Sequence, residues 1–311
     1  MKNIYKFKWP FILVLTVLLV GCGNAKNEEV KAPEQNNTSY SVIDDRGVEV
    51  TFDGVPETVI SLQPSNTEIL FALGVGDKIV GVTDFDKYPA EALEIERVSD
   101  AMTFNSERIV ALNPDVVFAY TIGEEEAIKA LENIGVKVFV IEAATTFEDV
   151  YGDIKQIAQV MGVEDKGAAL NGEIQGKIVD VQAKVATVKE PKNVYYEISA
   201  APELWTAGED TFQQEVLTAA NVKNIFSNIS GWAEISEEQV ITANPELILT
   251  TVNYLDDPVS ELLGRAGWEA VEAIQSKNIV VIDGEVITRP GPRIGEAVEL
   301  VAKAVYPDLF K

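Results

Sequence analysis

From residue 40 onward, short β-branched runs alternate with stretches whose apolar residues recur every three or four positions. The runs at 59–62, 79–83, 116–119 and 136–141 predict strands, and 66–73, 106–112, 124–133 and 147–161 predict helices between them. Strand and helix in alternation is the pattern of an α/β fold. Ahead of it, 40–43 and 48–52 flank Asp44-Asp45-Arg46-Gly47, a hairpin signal with glycine closing the turn.

The second half repeats the first weakly. SERIVALNPDVV at 106–117 lies over EEQVITANPELI at 237–248, which sets Asn113 on Asn244 and Glu107 on Glu238. The stretch 129–141 likewise echoes 269–282 with one residue inserted. Two copies of a helix–strand unit imply two α/β lobes of like fold. Between them Leu170, Ile174, Ile178, Val181, Val185 and Val188 form one apolar stripe, the mark of a single long helix over 165–188. Gly167, Gly172 and Gly176 oppose it at up to about 1 kcal/mol each, so packing along the stripe must outweigh them; Pro191 ends it. The expected organisation is an N-terminal lobe at 40–163, an interlobe backbone helix at 164–189 and a C-terminal lobe at 190–311.

The first segment reads as an address. Lys2, Lys6 and Lys8 precede an apolar run from Phe11 to Val20. That is about half of the roughly 20 residues a membrane span needs, so 1–21 is expected to be a signal peptide. Leu19-Val20-Gly21-Cys22 resembles a bacterial lipobox, whose cysteine is lipidated. Residues 22–39 then form a polar tether of roughly 20 Å reach, too poor in apolar groups to fold.

Charge narrows the chemistry. Against 25 Lys+Arg stand 50 Asp+Glu; without 1–21 the balance is 22 − 50 = −28. Nucleic-acid binding, which relies on clustered cations, is not expected. With no histidine and one cysteine, His-based catalytic triads, Cys/His zinc sites and intrachain disulfides are excluded. Gly74-Val75-Gly76-Asp77 lacks the Lys-Ser/Thr of a phosphate loop, and Glu124-Glu125-Glu126 reads as a solvated helix start.

Four segments, VISLQPSNTE at 59–68, FNSERI at 104–109, WTAG at 205–208 and RPGPRI at 289–294, carry a resemblance across about 40–311. Together with the lipobox and the long connecting helix they resemble the solute-binding lipoproteins of ABC importers of the rigid helical-backbone class. These handle cobalamin, ferric siderophores and haem. The resemblance implies a ligand cleft between the lobes, no enzymatic activity, no resident cofactor, and partnership with an ABC permease and its ATPase. It further implies a monomer held on the extracytoplasmic face of the cell membrane through its lipid anchor alone. Within the class the cobalamin-binding members match best. A haem ligand would lack histidine and depend on Tyr, Met102 or Met161, and a catecholate siderophore would find mainly Arg289. A secreted lipoprotein hydrolase is the rival from another class.

Ligands of open α/β sheets bind at the carboxyl ends of strands. Phe85, Tyr120, Trp205 and Trp232, two from each lobe and all expected on loops, fall there. Singly each reads as a half-buried core ring; as a set they would wall a cleft for a flat macrocycle. The resemblance places binding aromatics at all four, but finds none near Met102, where one is expected. Arg289 reads either as a surface ion pair or as a donor to ligand at the cleft rim, with Glu285 an acceptor beside it. Glu107 and Glu238 each fall in the first turn of a predicted helix, behind Asn105 and Ser236 as N-caps. The helix dipole explains an acid there; it does not explain equivalent places in two lobes. The resemblance makes them permease-docking groups.

Overall fold

The computed structural model describes residues 39–100, 103–120 and 125–311. The expected signal peptide, Cys22, the expected tether to residue 38, Met102 and Glu124 lie outside the described residues. The chain opens with the expected hairpin, β1 (Tyr40–Ile43) and β2 (Glu49–Phe52), paired antiparallel. Then follow β3 (Val59–Ser61), α1 (Pro64–Ala72), β4 (Ile79–Thr83), β5 (Arg97–Ser99), α2 (Ser106–Ala111) and β6 (Val116–Tyr120). α3 (Glu125–Asn133), β7 (Val138–Ile141) and α4 (Phe147–Val160) complete the first lobe. α1 begins two residues earlier than the periodicity suggests, because Pro64 at its first position presets the helical φ.

After α5 (Glu164–Val185) come β8 (Asn193–Glu197), β9 (Leu204–Ala207), α6 (Phe212–Ala219), β10 (Lys223–Asn224) and β11 (Trp232–Ile235). The second lobe closes with α7 (Glu237–Ala243), β12 (Leu247–Thr250), α8 (Pro258–Leu263), α9 (Glu272–Gln275), β13 (Ile279–Val281), α10 (Gly284–Ile287) and α11 (Ile294–Val305). The main sheets run β5-β4-β3-β6-β7 and β10-β8-β12-β13, every neighbour parallel. Without the edge strand β5 the two orders are the same, so the weak internal repeat is a repeat of topology. Asn113 and Asn244 repeat even in backbone: φ is 47° and 46°, left-handed, each just before a proline.

Side chains alternate across each strand, and both faces of both sheets are covered, which is why the strands read as unbroken apolar runs. Val116, Phe118, Phe139 and Ile141 from one sheet and Val194, Tyr196, Leu247 and Leu249 from the other face one shared core. Val117, Ala119 and Val138 fill a second core, and Tyr195, Ile248 and Trp268 a third. α5 contributes Ile174, Ile178, Val181 and Val185 to the shared core and packs against α4 and α11. Its 22 residues make a rod of about 33 Å.

One expectation fails. Only Phe85 of the four rings is on a loop: Tyr120 is the last residue of β6, and Trp205 and Trp232 lie in β9 and β11, which pair antiparallel as a separate two-stranded ribbon. Four-residue segments, one followed by Gly208 and the other preceded by Gly231, are too short to announce themselves as strands.

Candidate functional site

Phe85 stands in the turn after β4, and that turn is built by polar contacts. Asp86 is buried, and its Oδ2 accepts from the Thr83 backbone N–H at 2.8 Å and the Thr83 hydroxyl at 2.5 Å. Burial pushes the Asp86 carboxyl above the usual range, against the pull of these hydrogen bonds. Arg97 of β5 clamps the turn from outside, donating to the carbonyls of Thr83 (2.9 Å) and Asp86 (3.1 Å). With the polar groups turned inward, the Phe85 ring is left half exposed, at 50%.

Across the molecule, the ribbon register sets Trp205 opposite Glu234 and Trp232 opposite Ala207. Directly opposed residues share a face, so both indoles lie on one face, while Leu204, Thr206 and Ile235 are buried on the other. Trp232 is fixed by its indole N–H, which donates to Gln213 of α6 at 3.2 Å. Tyr120 ends β6; burial and then the charge of Asp153 raise its phenol pKa. Among the described residues it makes no hydrogen bond or ring contact with the other three aromatics. Asp153 is itself pushed up to about 8, by burial first and then by Asp45 and Asp149.

Arg289 joins the two sides. Its guanidinium donates to the Phe85 carbonyl at 2.9 Å, reaches Glu68 at 3.4 Å and pairs with Glu285 one turn away. Arg293 completes the junction, donating to both carboxylate oxygens of the buried Glu68 at 2.7 and 2.6 Å, with its guanidinium 4.1 Å from the Tyr88 ring centre. The sequence reads Arg289 as a surface pair or a rim donor; in the structure it is a largely buried bridge between lobes. Glu68, the carboxylate it shares with Arg293, carries no signal of this role in the sequence, although both residues lie in segments that carry the resemblance. Gly291 rests against Ser65 of α1, where a Cβ would sit 3.6 Å from the Ser65 Cα. Behind this junction a cavity of about 610 Å³ is lined by Tyr88, Leu170, Lys177 and Arg293 among others, and by none of the four rings.

Glu107 and Glu238 occupy matching places. Asn105 caps α2, accepting from Arg108 N–H, and Ser236 caps α7 in a full capping box with Gln239. Both glutamates are exposed, and neither has an ion-pair or side-chain hydrogen-bond partner among the described residues. The neighbouring Glu237 differs: it accepts the buried Trp268 indole N–H at 3.0 Å.

Comparison with known proteins agrees with this architecture. The profile of the family described as periplasmic binding protein matches residues 59–286. A Bacillus subtilis protein named an uncharacterized ABC transporter substrate-binding lipoprotein, YvrC, is 36% identical over 310 residues, covering 97% of this chain and 98% of its own. The vitamin B12-binding protein of Vibrio parahaemolyticus is 31% identical over 245 residues, covering 78% of this chain and 86% of its own. Among solved structures, one described as a possible iron-binding, periplasmic solute-binding protein from Staphylococcus epidermidis superposes with a TM-score of 0.73 at 31% identity. It covers 81% of this chain and 99% of its own.

Proposed function

Because this chain belongs to the periplasmic binding protein family and is a substrate-binding component of an ABC transporter, we propose that it captures cobalamin between its lobes for delivery to the permease. The observation that carries this reading is the exposure of Phe85 on one side and of Trp205 and Trp232 on the other, with Arg289 spanning between. A corrinoid is broad and flat, and stacked ring faces exclude water from it while rim amides find polar groups. Tyr120 extends the first wall. Glu285 offers carboxylate oxygen at the rim, and Arg289 holds the Phe85 turn in place as well as serving ligand. The vitamin B12-binding relative supports this ligand class.

No bond is made or broken in capture; transport energy comes from a separate ATPase. Glu107 and Glu238, one exposed and unpartnered carboxylate per lobe, dock onto cations of the permease, where complementary charge sets register and encounter rate. Lipidated Cys22 holds the monomer on the outer face of the membrane, and residues 22–39 give it reach.

The second reading is a ferric siderophore or haem receptor. It is favoured by the resemblance to the Staphylococcus epidermidis protein and by Met102, which stands where an aromatic is expected. Tryptophan-fluorescence titration of the soluble chain with cyanocobalamin, haemin and a ferric hydroxamate separates the two. Quenching by cyanocobalamin at micromolar concentration or below is expected; quenching by the hydroxamate or haemin alone overturns the corrinoid assignment.

A further inference from the structure

Tyr254 lies four residues beyond β12 and is 63% exposed, the most open of the large apolar or aromatic side chains described. An exposed tyrosine on an irregular segment is ordinarily free to rotate, but this one is tethered. Its phenol oxygen accepts the backbone N–H of Ala200 at 2.8 Å, bridging the loops that leave β8 and β12. Those two strands are adjacent in the sheet. β10 lies on one side of β8, and β12 and β13 on the other, so the crevice between the carboxyl ends of β8 and β12 is the topological switch point, where α/β sheets bind ligands.

Contacts on either side tie the segment of Tyr254 to the segments that carry Trp205 and Glu285. Toward the ribbon, the Ala200 loop is closed by Ser199, whose hydroxyl donates to the Glu203 carbonyl at 2.5 Å and accepts the Trp205 N–H at 3.1 Å. Toward the junction, Thr251 abuts Gly284, where a Cβ would come within 3.3 Å of the Thr251 side chain, and Gly284 precedes Glu285. The segment carrying Tyr254 is thus tied through Ala200 to the loop before Trp205 and through Thr251 to the residue before Glu285. Tyr120, at the end of the equivalent strand β6, corresponds in register to Thr251, so Tyr254 lies three residues further along the second lobe's loop.

We infer that Tyr254 is a ligand-contacting residue of the second lobe, presenting a fixed ring face to a large planar ligand and donating its hydroxyl hydrogen to a polar group on that ligand's edge. The phenol oxygen accepts from Ala200, and among the described residues its own hydrogen meets no acceptor. The tether removes the rotamer freedom that binding would otherwise have to restrict. This inference rests on the cleft reading above and adds a contact to it.

The test is calorimetric titration of cyanocobalamin into the wild type, Tyr254→Ala, Tyr254→Phe and Trp232→Ala, with thermal unfolding of each. Tyr254→Ala is expected to weaken binding about tenfold or more, and Tyr254→Phe about threefold, since the ring stays while tether and donor go. An exposed ring should leave the melting temperature nearly unchanged. If Trp232→Ala loses affinity while both Tyr254 variants bind within twofold of wild type, the inference is overturned and the cleft reading stands. If wild type does not bind cyanocobalamin, the reading falls, and the inference with it.

Discussion

At the carboxyl end of β3 the first lobe buries a serine; at the equivalent end of β8 the second buries a glutamate. Ser61 is satisfied by neutral contacts, accepting the Thr67 hydroxyl at 2.8 Å and donating to the Gln63 carbonyl. Glu197 needs a cation: Arg265 lies 2.6 Å away, itself held by Glu261 and placed 4.8 Å from the Trp268 ring, and Thr250 donates its hydroxyl to the other carboxylate oxygen. The first lobe also buries a carboxyl, Asp153, but with Asp45 and Asp149 acting on it in place of a cation. One topology therefore accommodates a paired buried charge and an unpaired one, and the second stays uncharged at neutral pH because burial raises its pKa. Likeness of fold does not extend to the polar groups that fold encloses.

Where function demands likeness, the lobes should agree. Glu107 and Glu238 are matched in cap, helix position and exposure, so each is expected to contribute equally to docking. Removing one partner of a charge pair that docking buries and hydrogen-bonds costs about 2–5 kcal/mol, so Glu107→Ala or Glu238→Ala alone should cut uptake about thirtyfold or more, and both together should abolish it. Cyanocobalamin affinity of the purified variants should stay near wild type. A loss confined to one glutamate would break the equivalence, and an equal fall in ligand affinity would make both structural.

The buried carboxyls should respond in opposite directions. Arg265→Met strands the Glu197 charge and is expected to cost about 3–5 kcal/mol of unfolding free energy. Asp153→Asn removes a group whose folded pKa is raised. For such a group the folded state holds its proton more tightly, so its contribution to stability is complete below about pH 4 and lost as pH rises toward about 8. The asparagine variant should match wild type near pH 4 and exceed it at pH 8 by about 2 kcal/mol, below the limit that roughly four units at 1.36 kcal/mol each would set. Denaturant unfolding at both pH values reads this. Equal stability at pH 8 would mean that Asp153 has found a partner in the folded protein.

Much of the fold was legible because parallel strands covered on both faces leave unbroken apolar runs, as 79–83 and 116–119 did. The duplication was legible because Asn113 and Asn244 serve the same left-handed stop before a proline. Phe85 and Tyr120 stand out by their place at the ends of strands, and the same rule at β12 points to Tyr254. What escaped was set by partners distant in sequence. Nothing local shows that Arg289 and Arg293 meet Glu68 more than two hundred residues away, or that two short segments carrying Trp205 and Trp232 pair into a ribbon.

The smallest effects test how the backbone helix meets each lobe. Its three glycines look alike in the sequence, yet only one lies at a contact. A Cβ on Gly167 would stand 2.6 Å from the Ala158 Cβ on α4, so glycine there sets how closely the helix approaches the first lobe. On the other side the close approach comes from Gly295 of α11, whose added Cβ would meet the Lys177 side chain from its Cβ outward, at 3.2 Å. Gly172 and Gly176 meet nothing within 4 Å. Gly167→Ala is therefore expected to destabilise by about 1–3 kcal/mol through overpacking. Gly172→Ala and Gly176→Ala should each stabilise by about 0.5–1 kcal/mol through helix propensity and a less flexible unfolded chain. Denaturant midpoints at constant slope measure all three. Loss of stability in Gly172→Ala or Gly176→Ala would show that the open side of the helix has a contact the folded chain alone does not reveal, and a neutral Gly167→Ala would show that the junction with α4 yields as readily as the one with α11.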